Sequence, residues 1–530
     1  MASQAGERPK GDQTHLEWKR KSGDRMAEEE EALDVEREAK TCVEAALEGG
    51  GAGCQEGRAF LRRWCWREVA GGARLRRDVT GEGDNCGSGA GEGNMRLGFT
   101  IQNCNSFSKM SAQAAKVTVL ERSEVAPPPG SVPESSLPFT IFDIVLLYAE
   151  PPVQRLFFYP FPHSLGHFLD SLLPTLKSAL SLTLRDFYPL SGKIRLHPGS
   201  HDKYELHYVE GDSVTFTVVE HDGDFDDLSG RPGCEYARLL HLIPQLADLD
   251  DGRRPVTAVQ VTLFPNRGVA VAVSVHHSAC DGSSSTRFIS SWASRTAAGS
   301  GKAALAPAPA LPFFDRTMIP NPSDLYSRFC SNFAVDAKST ESIMMNSNFS
   351  FHCSTTAVTY AYAWVCLVRL RGYPEEKHLY LAFPGDCRHR LQPPLPAEYF
   401  GNCIACYFVE AKAGDLAGED GFTMAARLVG ETIERLKHDP LEGMDNWPEK
   451  YREMWMQQPF SVAGSPSFKV YDVDFGWGRP VKVDVPSIAW LGAMSVSESR
   501  YADGGVEIGL ALPKQELDEF EAQFSLGLTL

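Results

Sequence analysis

The chain of 530 residues has no apolar run of the roughly 20 residues that a bilayer-crossing helix needs. The best candidate, Ala357 to Val368, is shorter and contains two Tyr and a Trp. Positive charge is also scarce. Against 69 Asp and Glu stand 52 Lys and Arg, a formal net charge of −17, which argues against a polyanion binder because offsetting phosphates takes cationic surface. The start of the chain lacks the apolar core of a secretion signal and carries Glu28 to Glu31 in a row, unlike a transit peptide. The expectation is a cytoplasmic protein with neither nucleic acid nor membrane among its partners. Thirteen Cys in such a chain read as free thiols. A single C-x-x-C pair, Cys403 and Cys406, lacks the second pair and the spaced His of a zinc site, so no metal is expected. No G-x-S-x-G appears, which disfavours a serine-hydrolase elbow.

With 43% hydrophobic and 23% charged residues, the chain has enough apolar sequence for a large folded core. Residues 1–109 differ from the rest. Charge-rich sequence alternates there with Gly-rich stretches such as Gly81 to Gly93, which bury little and lose much entropy on ordering. This part is expected to be disordered or foreign to the working protein, with Met110 as an alternative start just before the strand-like Lys116 to Leu120.

From Val117 onward, strand-like and helix-like segments alternate, giving a mixed α/β class. Leu169, Leu172, Leu173, Leu176 and Leu180 mark one face of a helix, and Pro and Gly in Phe187 to Lys193 end it. Val256 to Phe264 and Val269 to Val275 form a hairpin around Pro265 to Gly268, followed by a helix from about Ser283. Ala303 to Pro322 is Pro-rich and reads as an extended linker. The halves are therefore placed at 116–302 and 346–530, with a crossover over 303–345. In the second half, Ser354 to Leu370 reads as a buried helix, and Leu379 to Phe383 and Lys469 to Val473 as strands. Leu491 to Ser497 and Val506 to Leu512 read as a hairpin, and Pro513 as the first turn of a last helix.

Chemistry gathers at two places. His276-His277-Ser-Ala-Cys-Asp281-Gly282 lies between a strand and a helix, where reactive groups are commonly exposed. Neighbouring strand residues face opposite ways, so only one of the two His can serve one cavity. An imidazole takes a proton near neutral pH, and a placed base contributes about 10²–10⁴ in rate. Asp281 either orients that ring or holds the turn. In Asp474-Phe-Gly476-Trp477-Gly478, two Gly make a tight turn that fixes an indole carrying one N–H donor.

Together, His277 to Gly282 and Asp474 to Gly478, about two hundred residues apart, resemble the signature of the plant BAHD acyl-CoA-dependent acyltransferases. Phe187-Tyr-Pro-Leu-Ser-Gly-Lys193, Phe314-Asp-Arg316 and Gly385-Asp-Cys-Arg388 support it. Tyr399-Phe-Gly-Asn-Cys403 is similar to a motif of the flavonoid and anthocyanin branch, with its malonyl and hydroxycinnamoyl transferases. The resemblance covers roughly residues 116–530. It implies a two-domain chloramphenicol-acetyltransferase-like fold with the active-site channel between the halves, no bound cofactor, and acyl-CoA and a small phenolic acceptor as co-substrates of a monomer.

The resemblance further implies that His277 is the general base, with Asp281 structural and paired with Arg388. Asp474 is a supporting residue or a second catalytic one, and Trp477 is a candidate oxyanion donor. Arg287, on the helix after the first motif, is a candidate for the carboxylate of a malonyl group, since its planar donors match both oxygens. Phe329 to Phe351 is shorter and less patterned than the family leads one to expect on the CoA side. An N-acyl or alcohol acyltransferase of the same family, or a non-catalytic scaffold that no longer holds CoA, remain alternatives at this level.

Overall fold

The computed structural model describes residues 97–103 and 116–527, apart from 148, 150, 231–233, 247–248, 250–251, 303–308, 333–353, 444–445 and 503. The first strands are β1 (Leu97–Asn103), β2 (Val117–Val125), β3 (Ser135–Pro138), β4 (Val153–Pro160), β5 (Lys193–Leu196), β6 (Tyr204–Tyr208), β7 (Val214–His221) and β8 (Cys234–Glu235). Next come β9 (Arg254–Pro255), β10 (Thr257–Phe264), β11 (Gly268–Val275), β12 (His378–Asp386) and β13 (Ile404–Lys412). The last are β14 (Phe460–Gly464), β15 (Lys482–Asp484), β16 (Met494–Glu498) and β17 (Val506–Leu512). The long helices are α1 (Leu173–Asp186), α2 (Gly282–Gly299), α3 (Thr355–Arg371), α4 (Gly421–His438) and α5 (Lys514–Gly527).

Three sheets result, ordered β15-β4-β11-β10-β7-β2, β13-β12-β14-β16-β17-β1-β8 and β3-β6-β5-β9. The hairpin read from the sequence is β10 and β11, in register from Thr257 opposite Val275 to Phe264 opposite Gly268. Both strands are buried along their whole length, the reason their sequences run apolar instead of alternating. On one face lie α1 and α2, tied by the Trp292 indole N–H donating to Leu176 O at 3.0 Å. On the other face, Leu156, Phe158, Phe225, Leu239 and Phe264 form a second apolar cluster.

The Leu periodicity is broken where it begins. A π-helical turn, Phe168–Leu172, precedes α1, and its extra residue per turn shifts the inward face. Phe168 is fully buried there, while Leu169 and Leu172 are only partly so.

The sheets do not respect the division at 303–345. β15, from the second half, pairs antiparallel with β4 of the first. The Pro-rich segment is anchored at particular points of its described part. Phe313 bridges Tyr399, and Arg316 is buried, because aromatic and ionic side chains anchor a backbone that Pro keeps extended. A helix, Leu325–Asn332, follows, and the rest of the segment expected to be short, 333–351, lies outside the described residues. Within the stretch expected to be disordered, β1 pairs parallel with β17 from Leu97 opposite Val506 to Asn103 opposite Leu512. It fills a sheet edge whose unpaired N–H and C=O groups favour an added strand. The remainder of 1–109 lies outside the described residues.

Lys469 to Val473 is not a strand. Lys469 has φ 53, and a 3-10 turn, Val470–Asp472, follows; the Tyr471 N–H donates to the Glu498 side-chain carboxylate at 2.6 Å and not to a strand carbonyl. The apolar residues that suggested a strand, Val470, Tyr471 and Val473, are buried as parts of a turn. The final hairpin exists as β16 with β17, beginning at Met494 because Ile488–Leu491 is a short helix ended by Gly492.

Candidate active site

β11 ends at Val275, and the chain turns through the two histidines into α2. Both lie past the end of the strand, and their side chains go to different surroundings. His276 is buried, its Nδ1 beside the Ser278 hydroxyl at 2.9 Å and its N–H donating to Val256 O at 2.8 Å. His277 is half-buried, with Nδ1 covered and without a hydrogen-bond partner, which leaves Nε2 as the nitrogen able to meet a substrate. Burial lowers the His277 pKa from its ordinary value, against opposing effects of its own backbone, Asp281 and the Asn402 side chain. A lowered pKa keeps the ring neutral at pH 7, the form that accepts a proton.

Asp281 does not orient that ring. One carboxylate oxygen caps α2 by accepting from Ser284 N at 2.9 Å. The other accepts from Arg388 Nη2 at 2.7 Å and Cys403 N at 3.1 Å. Arg388 also donates to the Ser284 hydroxyl and to Gly401 O. Burial works against its charge, yet Asp281 and Asp386 hold its pKa above the usual guanidinium value. The acid of the first motif thus locks the first turn of α2 to the loop after β12, and through it fixes His277.

A second ionic centre lies alongside. Asp143, fully buried, accepts from Arg316 Nη1 at 2.8 Å and from Asn402 Nδ2 at 2.9 Å. The same Asn402 amide donates to His277 O at 2.9 Å. Aromatic rings complete the frame, with Phe187 against Phe288 and Phe400, and Phe314 against Tyr188 and Phe400. The segments Phe187 to Lys193, Phe314 to Arg316, Gly385 to Arg388 and Tyr399 to Cys403, far apart in sequence, therefore converge around His277.

The second motif is elsewhere. Asp474 accepts from Gly476 N at 2.7 Å and Gly478 N at 2.8 Å, closing its own loop; both glycines have positive φ, 88° and 91°, which a residue with a Cβ rarely adopts. Trp477 packs on Tyr159, Phe161 and Phe475, and Lys302 Nζ donates to Gly476 O at 2.7 Å. A Cβ on Gly476 would lie 3.3 Å from Ala297 Cα. That is the far end of α2, about 22 Å along the helix from Gly282 at 1.5 Å per residue. Trp477 is thus not placed to meet an oxyanion near His277, and Asp474 is placed as the loop's tie.

Gly282 meets a different segment. The turn Pro466–Phe468 after β14 brings the Phe468 ring so close that a Cβ at Gly282 would clash at 2.7 Å. Arg287, further along α2, donates through Nη2 to Ala397 O at 2.7 Å; burial lowers its pKa from the ordinary guanidinium value, with Glu398 opposing. It holds the loop that carries Tyr399. Asp143 and Arg155 were missed in the sequence, although each is a charge inside an apolar stretch, Ile141 to Leu147 and Val153 to Tyr159, where a buried ionic group carries a signal of its own. Cys280 is buried, with a thiol pKa well above the ordinary value, which makes it a poor nucleophile. Among the described residues no cluster of metal-ligating side chains occurs, and no helix is long and apolar enough to cross a membrane.

Known proteins similar to this chain bear on its family and fold. A malonyl-coenzyme A:anthocyanin 3-O-glucoside-6''-O-malonyltransferase of Dahlia pinnata is 34% identical, over 78% of this chain and 97% of its own. Phenolic glucoside malonyltransferase 2 of Arabidopsis thaliana is 35% identical, over 77% of this chain and 99% of its own. The crystal structure of vinorine synthase, at 20% identity, superposes with a TM-score of 0.54 over 76% of this chain and 96% of that one, which supports the fold. A family model described as the Transferase family matches residues 115–526. With that match over most of its length, the chain belongs to the Transferase family, the BAHD acyltransferases.

Proposed function

We propose that this protein transfers a malonyl or hydroxycinnamoyl group from CoA to a sugar hydroxyl of a phenolic or flavonoid glycoside, with His277 as general base. The observation that carries this reading is the His277 ring. It lies just past the end of β11, is kept neutral by burial, and its backbone carbonyl is held by Asn402. The named relatives act on anthocyanin and phenolic glucosides with malonyl donors.

In the reaction, Nε2 takes the proton of the acceptor hydroxyl as its oxygen attacks the thioester carbonyl. The C–S bond then breaks, and the imidazolium returns the proton to the departing thiolate. Donor and acceptor are both bound at that moment, and no acyl-enzyme forms. Acyl-CoA is consumed as a co-substrate and no resident cofactor takes part. Asp281 and Arg388 act as positioning residues, Arg287 holds the loop after β12, and Asp474 keeps the distant loop closed.

The test is release of CoA thiol with malonyl-CoA and coumaroyl-CoA against a panel of flavonoid and simple phenolic glucosides, with His277→Ala as control. Acceptor-dependent release that disappears in the variant is the expected result. Release that survives in His277→Ala would sink the assignment of the base, and no release with any pair from a folded protein would sink the activity itself.

A further inference from the structure

Of the buried arginines Arg155, Arg316 and Arg388, the last two have carboxylates within hydrogen-bond reach, Asp143 and Asp281. Arg155 has none. It is 6% exposed, its Nε is covered and without a partner, and its guanidinium lies over the Phe468 ring, 5.2 Å from the centroid. Glu498 favours its charge from a distance, but that carboxylate accepts from Tyr471 N and does not reach the guanidinium. Burying a cation without a carboxylate in hydrogen-bond reach is costly, so a group left in this state is unusual unless something supplies the missing anion.

The geometry shows where that anion would sit. Arg155 lies opposite Val273 on the face of the sheet that α2 covers, and its Nη2 is 3.4 Å from where a Cβ on Gly282 would be. Gly282 opens α2, an 18-residue helix. Asp281 caps only the Ser284 N–H, and the N–H groups of Gly282 and Ser283 have no acceptor among the described residues. Two free helix N–H donors and an unpaired guanidinium thus meet at one spot, five residues along the chain from His277. Helix N-termini with free N–H groups bind anions, and a guanidinium binds both oxygens of a carboxylate.

We infer that Arg155 and the first turn of α2 form a carboxylate subsite that receives the free end of a dicarboxylic acyl group, malonyl in the first instance, while its thioester lies at His277. This rests on the proposed transferase reading and narrows it to an anionic donor. It also moves the role expected of Arg287 to a residue buried in the β-sheet.

The experiment compares kcat/KM for malonyl-CoA and acetyl-CoA with one acceptor, in the wild-type chain and in Arg155→Met, which keeps the apolar stem and removes the charge. The wild type is expected to prefer malonyl-CoA by tenfold or more. Arg155→Met should lose about 10- to 150-fold with malonyl-CoA, the range for a hydrogen bond to a charged group, and change less than threefold with acetyl-CoA. Equal losses with both donors would make Arg155 a packing residue and overturn the subsite. Should Arg155→Met fail to fold, the wild type decides alone, through its donor ratio and through malonate as an inhibitor competitive with malonyl-CoA. No preference and no inhibition overturn the inference. Turnover with coumaroyl-CoA but not malonyl-CoA would overturn the subsite and leave the transferase standing, whereas no turnover with any donor would remove the reading on which it rests.

Discussion

The two ends of α2 are built from different materials. At its N-terminus, charge does the holding, through the Asp281–Arg388 pair, the Ser284 hydroxyl and the neighbouring Asp143–Arg316 pair. At its C-terminus the holding is aromatic. Trp292, Tyr159, Phe475 and Trp477 meet ring on ring there, and Asp474 is spent on two glycine amides. Both motifs are equally sharp in the sequence, yet only one lies with the reactive histidine. A short motif of Asp, Gly and Trp thus does not announce chemistry; the partners of its carboxylate decide, and those of Asp474 are all within its own loop.

The comparison is sharpest for His277. Replacing it by Ala should lower kcat by about 10²–10⁴ or more, the contribution of a placed base, with a thermal midpoint close to that of the parent, because the ring is half-buried and Nδ1 makes no hydrogen bond. CoA-thiol release and a melting curve on the same preparation check both halves of this statement. Asp281→Asn comes next. Taking from the buried Arg388 guanidinium the closer of its two carboxylates, with Asp386 left at 3.3 Å, should cost up to about 3–5 kcal/mol of stability, seen as a lower urea midpoint, with activity falling because the first turn of α2 is less firmly tied to the loop after β12. A variant that keeps its stability and loses only activity would show that the carboxylate acts on the reaction directly.

What was legible in the sequence follows from range of interaction. The β10–β11 hairpin, the helix after it, the buried α3 and the final hairpin rest on local patterns, and all are present. The resemblance paired Asp281 with Arg388, and the structure supplies the bond between them. Three features depended on distant partners. Lys469 to Val473 has the apolar content of a strand, but its backbone is taken by a turn and by Glu498. β15 leaves its own half to pair with β4, and β1 adds to the edge of β17. The distance from Trp477 to His277 was hidden for a related reason: the rings that fix Trp477 come from β4, more than three hundred residues earlier, and their positions cannot be read from the motif's own spacing.

At the aromatic end, Asp474→Ala removes the acceptor of two loop N–H groups. A hydrogen bond to a charged group contributes about 1.5–3 kcal/mol, so the variant should be destabilised by at least about that amount while the surviving folded protein keeps kcat within a few-fold. A loss of kcat comparable to that of His277→Ala, with the melting curve unchanged, would make the two ends of α2 chemically alike and break the comparison.

The smallest effect is the pH profile. Because the His277 pKa lies below its ordinary value, kcat/KM should fall as pH drops through a midpoint below about 6.5, the base being lost as the ring takes a proton. The Asn402 side chain works in the other direction and favours the protonated ring. Its removal in Asn402→Ala should therefore carry the acid limb to still lower pH, even as the lost contacts to Asp143 and His277 O reduce the plateau. Asp474→Ala should leave the limb where it is, since its carboxylate sits near the other end of the helix. A limb that moves with Asp474 and not with Asn402 would place the electrostatic surroundings of the base at the wrong end of α2.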